Sequence, residues 1–366
     1  MTALDVVIMA AGKGTRMKSS MPKVLHPLGG RALVQHVIDT AQALHARHTV
    51  VITGHGAEQV EAALSGEGAA PGLRFVRQMP QLGTGHAVQQ AVPLLPDDAT
   101  VLVLSGDVPL TRASTLQALI DASGGRQLAL LTLDMPDPTG YGRIVREGGQ
   151  ADGGVHAIVE HKDASDTQRA IREIYSGIMA VPSRLLKGWL ARLDNRNAQN
   201  EYYLTDIVKF AVADGVPVVA HTISDAVQVA GVNSPVQLAE LERAYQQRLA
   251  HALMNEGVRL IDPARLDVRG ELLCGSDVEI DVNCVFEGRV QLGQGVRIGA
   301  HCVIANCVIA DHAVIHPFTH IDGDAQGVTV GARSLVGPYA RLRPGAQLAE
   351  DVHIGNFVEV KNSSLA

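Results

Sequence analysis

Four cationic side chains, Lys13, Arg16, Lys18 and Lys23, crowd around two glycines and a threonine in AAGKGTRMKSSMPK, directly after the apolar run 6–9. Glycines let backbone N–H groups approach phosphate oxygens closely. The cations can neutralise charge that builds up during phosphoryl or nucleotidyl transfer. Pro22 fixes the chain just before Lys23. This loop is not a dinucleotide fingerprint, because Met17 stands where the third glycine belongs. It is not an ATP-type P-loop either, because Gly14 follows Lys13 where serine or threonine is needed. A second stretch, LSGDVPL at 104–110, ends an apolar run on Asp107. A carboxylate there is costly without a cation, and Mg²⁺ on nucleotide phosphates needs only one or two carboxylates. A third, QMPQLGTGHA at 78–87, opens a helix at Gly83-Thr84-Gly85, whose N–H groups would face a ligand. Gln78 and Gln81 carry amides able to pair with both the donor and the acceptor of a base edge. Taken singly, each stretch is also a solvated glycine turn, a turn aspartate or a capped helix start. Together they point to a nucleotide phosphate site.

Such groups need a scaffold. DVVIMAAG, HTVVITGHG, LRFVRQ, TVLVLSGD and QLALLTLD read as buried strands. Between them Leu33, Val34, Val37, Ile38, Ala41 and Leu44 share one helical face, and residues 84–95 and 113–122 make two more helices. Alternating apolar strands and helices predict a mostly parallel sheet covered on both faces. Ligands then sit beyond the carboxyl ends of the strands, where AAGKGTRM and SGD both fall.

Residues 234–255 read as a connecting helix, with Ser234 and Pro235 as cap and first-turn proline. After it the period becomes six. Aliphatic or aromatic residues recur at Ile280, Phe286, Leu292, Ile298 and Ile304. A five-residue step leads to Ile309, Ile315 and Ile321. A nine-residue insertion leads to Val330, Val336, Leu342, Leu348, Ile354 and Val360. This is the signature of a parallel β-helix with the aliphatic residue pointing inward; the small residue that usually follows is expected to let the corner turn. His312, His316 and His320 have helical metal spacing, but in a hexapeptide coil that spacing does not put them on one face.

The bulk composition restricts the partners. The chain has 366 residues, enough for two or three cores. A net charge of −7 leaves no basic surplus for nucleic acid or an anionic membrane, and 3% aromatic content argues against base-stacking platforms. Cys274, Cys284, Cys302 and Cys307 form no CxxC pair, which fits buried thiols in a reduced, cytoplasmic setting. No N-terminal h-region and no membrane-length apolar run are present.

In order, MAAGKGTRMKSSMPKVLH, QLGTGHA, SGDVPL, PTGYGRI, IVEHKD, EYYLTDI and VAGVN, followed by the long helix and the hexads, resemble bifunctional bacterial enzymes with N-acetylglucosamine-1-phosphate uridylyltransferase and glucosamine-1-phosphate acetyltransferase activities. The resemblance covers essentially the whole chain. It implies an α/β, Rossmann-like nucleotidyltransferase domain over 1–233, a connecting helix over 234–255 and a left-handed parallel β-helix over 256–366. It implies UTP and N-acetylglucosamine 1-phosphate as substrates, UDP-N-acetylglucosamine as product, Mg²⁺ as cofactor, and a homotrimer formed through the β-helix.

The resemblance also assigns residues. Met9, Ala10, Ala11 and Gly12 would lie against the uridine, with Gln78, Gly83 and Thr84 completing the uracil pocket. Ser105, Gly106 and Asp107 would border the nucleotide. Arg16 would face the pyrophosphate and Lys23 the phosphates being joined, these two and Asp107 being the catalytic set. Asp107 and Asn233 would hold Mg²⁺. Gly142 and Glu160 would read the sugar, and Tyr175 stands in Ile174-Tyr175-Ser176-Gly177 where the family has a sugar-binding asparagine. Arg343 and Lys361 match sugar-phosphate positions of the acetyltransferase site. The remaining residues of that site and its acetyl-CoA coils would lie beyond Ala366, so the chain is expected to lack the second activity. Two alternatives remain at this stage. A pyrophosphorylase for dTTP or ATP is disfavoured by Gln78, QLGTG and EHKD. A non-catalytic scaffold is disfavoured by the presence of Lys23, Asp107 and Asn233.

Overall fold

The structure, a computed structural model, describes residues 3–66, 70–150 and 153–366. These fall into two compact units, residues 1–26 with 32–237 and residues 27–31 with 238–366.

The first unit is built on β1 (Ala3–Met9), α1 (Leu33–Ala43), β2 (His48–Thr53), α2 (Ala57–Leu64), β3 (Leu73–Arg77), α3 (Thr84–Ala91), β4 (Ala99–Ser105), α4 (Ala113–Ser123) and β5 (Leu128–Asp134). It continues with β6 (Gly142–Arg146), β7 (Val155–Val159), β8 (Glu173–Pro182), α5 (Ser183–Leu190), α6 (Ile207–Ala213) and β9 (Val218–Ile223). The sheet has nine strands, with the order β9-β5-β8-β4-β1-β2-β3; β6 attaches to β8, and β7 pairs with β6. All neighbours along the main path are parallel except β8, which runs antiparallel to both β4 and β5. The apolar runs do not alternate because both faces are covered. Val7, Val101 and Val103 belong to one core, and Val6, Ile8, Leu102 and Leu104 to the other.

The long helix α7 (Pro235–Asn255) is capped as its sequence suggests, with Ser234 Oγ accepting from Gln237 N–H at 3.3 Å. The second unit stacks parallel strands into coils. One wall pairs 259–260, 279–280, 297–298, 314–315, 335–336 and 353–354 in that order. Every inward residue named above, from Ile280 to Val360, lies in one continuous core. The five-residue step has a local cause: Asn306, at φ 47°, opposes both Gly288 and Arg289, and its Oδ1 accepts from Arg289 N–H. The small residue after the inward one plays a different part from the one expected. The left-handed corners are taken by larger residues such as His301, Phe318 and Tyr339, with φ of 60°, 61° and 56°. Gly293, Gly299 and Gly331 instead sit beneath the next coil, where a Cβ would come within 2.2–2.8 Å of backbone atoms. Close stacking of coils, not backbone conformation, demands the small residue there. Among the described residues no helix is long and apolar enough to cross a membrane.

Candidate functional site

At the carboxyl end of β1 and β4 lies a cleft of about 450 Å³. Met9, Ala10, Ala11, Gly12, Lys23, Gln78, Gly83, Thr84, Ser105 and Asp107 all line it, as the sequence leads one to expect, together with Lys13, Gln81 and Glu201. The loop after β1 is tied down at its start, Ala10 N–H donating to the Ile52 carbonyl at 2.9 Å. A Cβ at Gly12 would meet nothing within 4 Å, so the space in front of it belongs to the cleft. Gly14 is different: its φ is 59°, and a Cβ there would lie 2.7 Å from Lys23 Cβ. Its glycine therefore allows the loop to close over the lysine.

On the other wall Gly83 caps α3 at φ 105°. Gln78 is buried, and its Nε2 donates to the Gly83 carbonyl at 2.9 Å. Gln81 Nε2 donates to the Ala11 carbonyl at 2.6 Å. One donor of each amide therefore holds a loop; Gln78 Nε2 also lies 3.2 Å from His86 Nδ1, whereas Gln81 keeps its second N–H beside its carbonyl. For Gln78 this is narrower than the two-sided pairing that the residue type allows.

The floor carries the charge. Gly106 N–H donates to the Met9 carbonyl at 2.9 Å, joining the ends of β4 and β1. Ser105 Oγ donates to Asp107 Oδ1 at 2.6 Å. Lys23 Nζ donates to Asp107 Oδ2 at 2.5 Å and to Asn233 Oδ1 at 3.1 Å, the lysine and aspartate side chains being 13% exposed. Asn233 is placed by Val232 N–H donating to the Asp107 carbonyl, and its own N–H donates to Gln237 Oε1. A carboxylate and an amide oxygen thus converge on one cation. No group of three or more His, Cys, Asp or Glu that could hold a metal exists among the described residues. The two-oxygen set suits Mg²⁺, which takes its remaining ligands from phosphate and water. Arg16 is exposed on the short turn Thr15–Met17, anchored by buried Met17, and does not line the cleft.

A second cluster forms where β6, β7 and β8 meet. Gly142 opposes Tyr175 across the β6–β8 pair. A Cβ at Gly142 would stand 3.7 Å from both carboxylate oxygens of Glu160. Burial raises the Glu160 carboxyl above the usual range, opposed by a 2.9 Å bond from Thr205 Oγ1. Tyr175 is buried, and among the described residues its hydroxyl has no hydrogen-bond partner. Burial, and then the Glu160 charge, push its phenol well above the ordinary value. Arg143 of the PTGYGRI stretch is a brace: it is buried and bonded to the Tyr141 carbonyl and to His161 Nδ1. Sequence reasoning missed Gly14 as a contact of Lys23, and Thr205 as a partner of Glu160. The first could have been seen in the unusual glycine on both sides of Lys13; nothing local signals the second.

Arg343 and Lys361 lie in the second unit. Arg343 Nη1 donates to Glu359 Oε1 at 3.1 Å, and Lys361 is exposed.

Residues 6–165 match the MobA-like NTP transferase domain, and residues 268–365 match the GMPPB C-terminal domain. The chain is 75% identical over 366 residues to the bifunctional protein GlmU of Polaromonas naphthalenivorans (strain CJ2), covering 99% of this chain and 77% of that one. To the bifunctional protein GlmU of Herminiimonas arsenicoxydans it is 56% identical over 363 residues, covering 99% and 78%. The solved structure of apo UDP-glucose pyrophosphorylase is similar over 68% of this chain and 100% of that one, with a TM-score of 0.54 at 16% identity, a likeness of fold alone.

Proposed function

The chain belongs to the GlmU family of N-acetylglucosamine-1-phosphate uridylyltransferases, and from this premise we propose that its first unit joins UTP and N-acetylglucosamine 1-phosphate to form UDP-N-acetylglucosamine and pyrophosphate. The observation that carries the reading is the convergence of Lys23, Asp107 and Asn233 on the floor of a glycine-lined cleft.

A phosphate oxygen of the sugar phosphate attacks the α-phosphorus in line. The bond from that phosphorus to the bridging oxygen breaks, and pyrophosphate leaves with the electron pair. The nucleophile is already anionic, so no general base is required, and the protein's task is positioning and charge stabilisation. Ala10, Ala11 and Gly12 present a close backbone to the nucleotide; the Gln78 carbonyl is left to accept from the base, and Gln81 keeps a carbonyl and one N–H to pair with it. Lys23 neutralises the phosphates being joined, and Arg16 meets the departing pyrophosphate. Glu160, Gly142 and Tyr175 form the wall against the sugar. Bound at Asp107 and Asn233, Mg²⁺ would supply further neutralisation of the phosphate oxygens.

In the second unit, Arg343 and Lys361 are the residues assigned to the phosphate of glucosamine 1-phosphate in the acetyl-transfer site. We propose that the hexapeptide unit assembles as a homotrimer and that the enzyme works in the cytoplasm.

The deciding experiment measures pyrophosphate release with N-acetylglucosamine 1-phosphate and each of the four ribonucleoside triphosphates and dTTP, for the protein and for Asp107→Ala. Release with UTP, lost in the variant, is the expected result. A preference for ATP or dTTP, or near-normal turnover of Asp107→Ala at saturating Mg²⁺, would overturn it.

A further inference from the structure

The segment 201–205, EYYLT, is bonded in two directions. Toward the nucleotide loop, Gly85 N–H donates to the Tyr202 carbonyl at 2.7 Å, and Tyr202 N–H donates to the Leu82 carbonyl at 2.8 Å. Leu204 N–H donates to Thr84 Oγ1 at 3.1 Å. Toward the sugar wall, Tyr203 donates its phenol proton to Asp163 Oδ2 at 3.1 Å, and Thr205 Oγ1 donates to Glu160 Oε1 at 2.9 Å. Thr205 is 4% exposed, so its hydroxyl is held in place by the surrounding protein before any ligand arrives.

Glu160 has little else in its favour. Burial and the like charges of Asp163, Asp206 and Glu201 all work against its ionised form, and the Thr205 bond alone works for it. The buried phenol of Tyr175 also feels its charge. Only Oε1 has a protein partner among the described residues. An ionised carboxylate with one oxygen fixed and the other open accepts from the hydroxyl or amide donors of a sugar; a protonated or swinging one does so poorly.

We infer that Thr205 is a positioning residue for sugar-phosphate recognition, holding Oε1 of Glu160 so that Oε2 is presented to donor groups of the ligand. This rests on the reading of Glu160 as a sugar contact, given under the proposed function.

The test compares Thr205→Val, Thr205→Ser and Glu160→Gln by steady-state kinetics from acid to mildly alkaline pH. Thr205→Val should raise KM for N-acetylglucosamine 1-phosphate by about tenfold, the order of a lost hydrogen bond to a charged group. KM for UTP should stay within about twofold, which also reports an intact nucleotide wall. The acid limb of kcat/KM for the sugar phosphate should move to higher pH, because the remaining influences all favour the protonated carboxyl. Thr205→Ser, which keeps the hydroxyl, should restore both KM and the pH profile. An unchanged KM and profile in Thr205→Val, or equal rises in both KM values, would overturn the inference. If Glu160→Gln itself leaves the sugar-phosphate KM unchanged, the sugar-wall reading falls first and takes this inference with it.

Discussion

The ammonium of Lys23 and the carboxylate of Asp107, 84 residues apart in the chain, are in direct contact at 2.5 Å, and the same nitrogen reaches Asn233 Oδ1 at 3.1 Å. Lys23 therefore occupies the two oxygens that a divalent cation would use. The ammonium and the ion cannot share that point, since like charges at contact repel strongly in a partly buried site. For Lys23 to serve the phosphates while the ion takes Asp107 and Asn233, the lysine must swing off as the ion and nucleotide arrive.

Lys23→Met should then separate two effects. Without nucleotide, the variant should bind Mn²⁺ roughly tenfold or more tightly than the unaltered protein, because a competing charge is gone. Its turnover should fall by at least ~100-fold, the order expected for a charge that stabilises a transition state. Mn²⁺ titration by electron paramagnetic resonance reads the first, pyrophosphate release the second. An unchanged or weaker Mn²⁺ affinity would show that the lysine does not compete for the metal oxygens.

Tyr175 supplies a second test. Its ring packs in the core that includes Ile144 and Ile158, while its hydroxyl is buried without a partner among the described residues. An unsatisfied buried hydroxyl is destabilising. Tyr175→Phe should therefore hold or raise the melting temperature and leave the sugar-phosphate KM within about twofold. A KM rise of about tenfold would instead mean that the substrate itself satisfies the hydroxyl. Tyr175→Asn removes a buried ring, so it should lose about 3 kcal/mol of stability. Its sugar-phosphate affinity, measured in the folded fraction, should be unchanged or better.

These relationships show where sequence reading succeeds and where it stops. The strands β1, β2, β4 and β5 were legible because burial on both faces leaves each a largely apolar run; the edge strand β3, LRFVR, is only half-buried and showed itself by a shorter apolar pattern. The hexads were legible because every coil repeats the same inward position. Strands β6 to β9 were not anticipated. VHAIV and VVAHTI mix polar and apolar residues, and EIYSGIMAVP pairs antiparallel within an otherwise parallel sheet, which no local pattern announces. The site followed the same division. Glycine loops and a carboxylate at a strand end are local signals. The Lys23–Asp107 contact and the Thr205–Glu160 bond join distant segments, and the engagement of the Gln78 and Gln81 donors by loop carbonyls depends on how two loops meet.

The raised Glu160 carboxyl gives a stability prediction with a definite sign. Burial is its largest cause. The native state therefore keeps the proton at a pH where the unfolded chain has released it. Stability from this group is fully present below the unfolded glutamate value of about 4.3 and is lost as pH rises through the higher native value. Glu160→Gln cannot ionise and escapes that loss. The melting temperature of the variant relative to the unaltered protein should climb across this window and then level off. A difference that stays flat from about pH 4 to neutrality would mean that the native carboxyl titrates like an exposed one.

The last prediction sets two glycines in the same sequence position against each other. Gly331 follows inward-facing Val330, and Gly355 follows inward-facing Ile354. By hexapeptide pattern the two are equivalent. In the folded coils they are not. A Cβ at Gly331 would lie 2.2 Å from the Ala349 carbonyl oxygen and 2.7 Å from the Glu350 nitrogen, backbone that is itself bonded into the next coil. A Cβ at Gly355 would meet nothing within 4 Å. Neither residue needs a left-handed backbone, so strain in φ does not enter. Gly331→Ala should force two coils apart and cost about 1–3 kcal/mol, as overpacking does. Gly355→Ala should be neutral, or stabilise by a few tenths of a kcal/mol by restricting the unfolded chain. Urea unfolding of the two variants of this 366-residue chain, followed by circular dichroism, makes the comparison. Equal effects would mean that the small residue answers to the hexapeptide turn itself and not to the coil stacked on it.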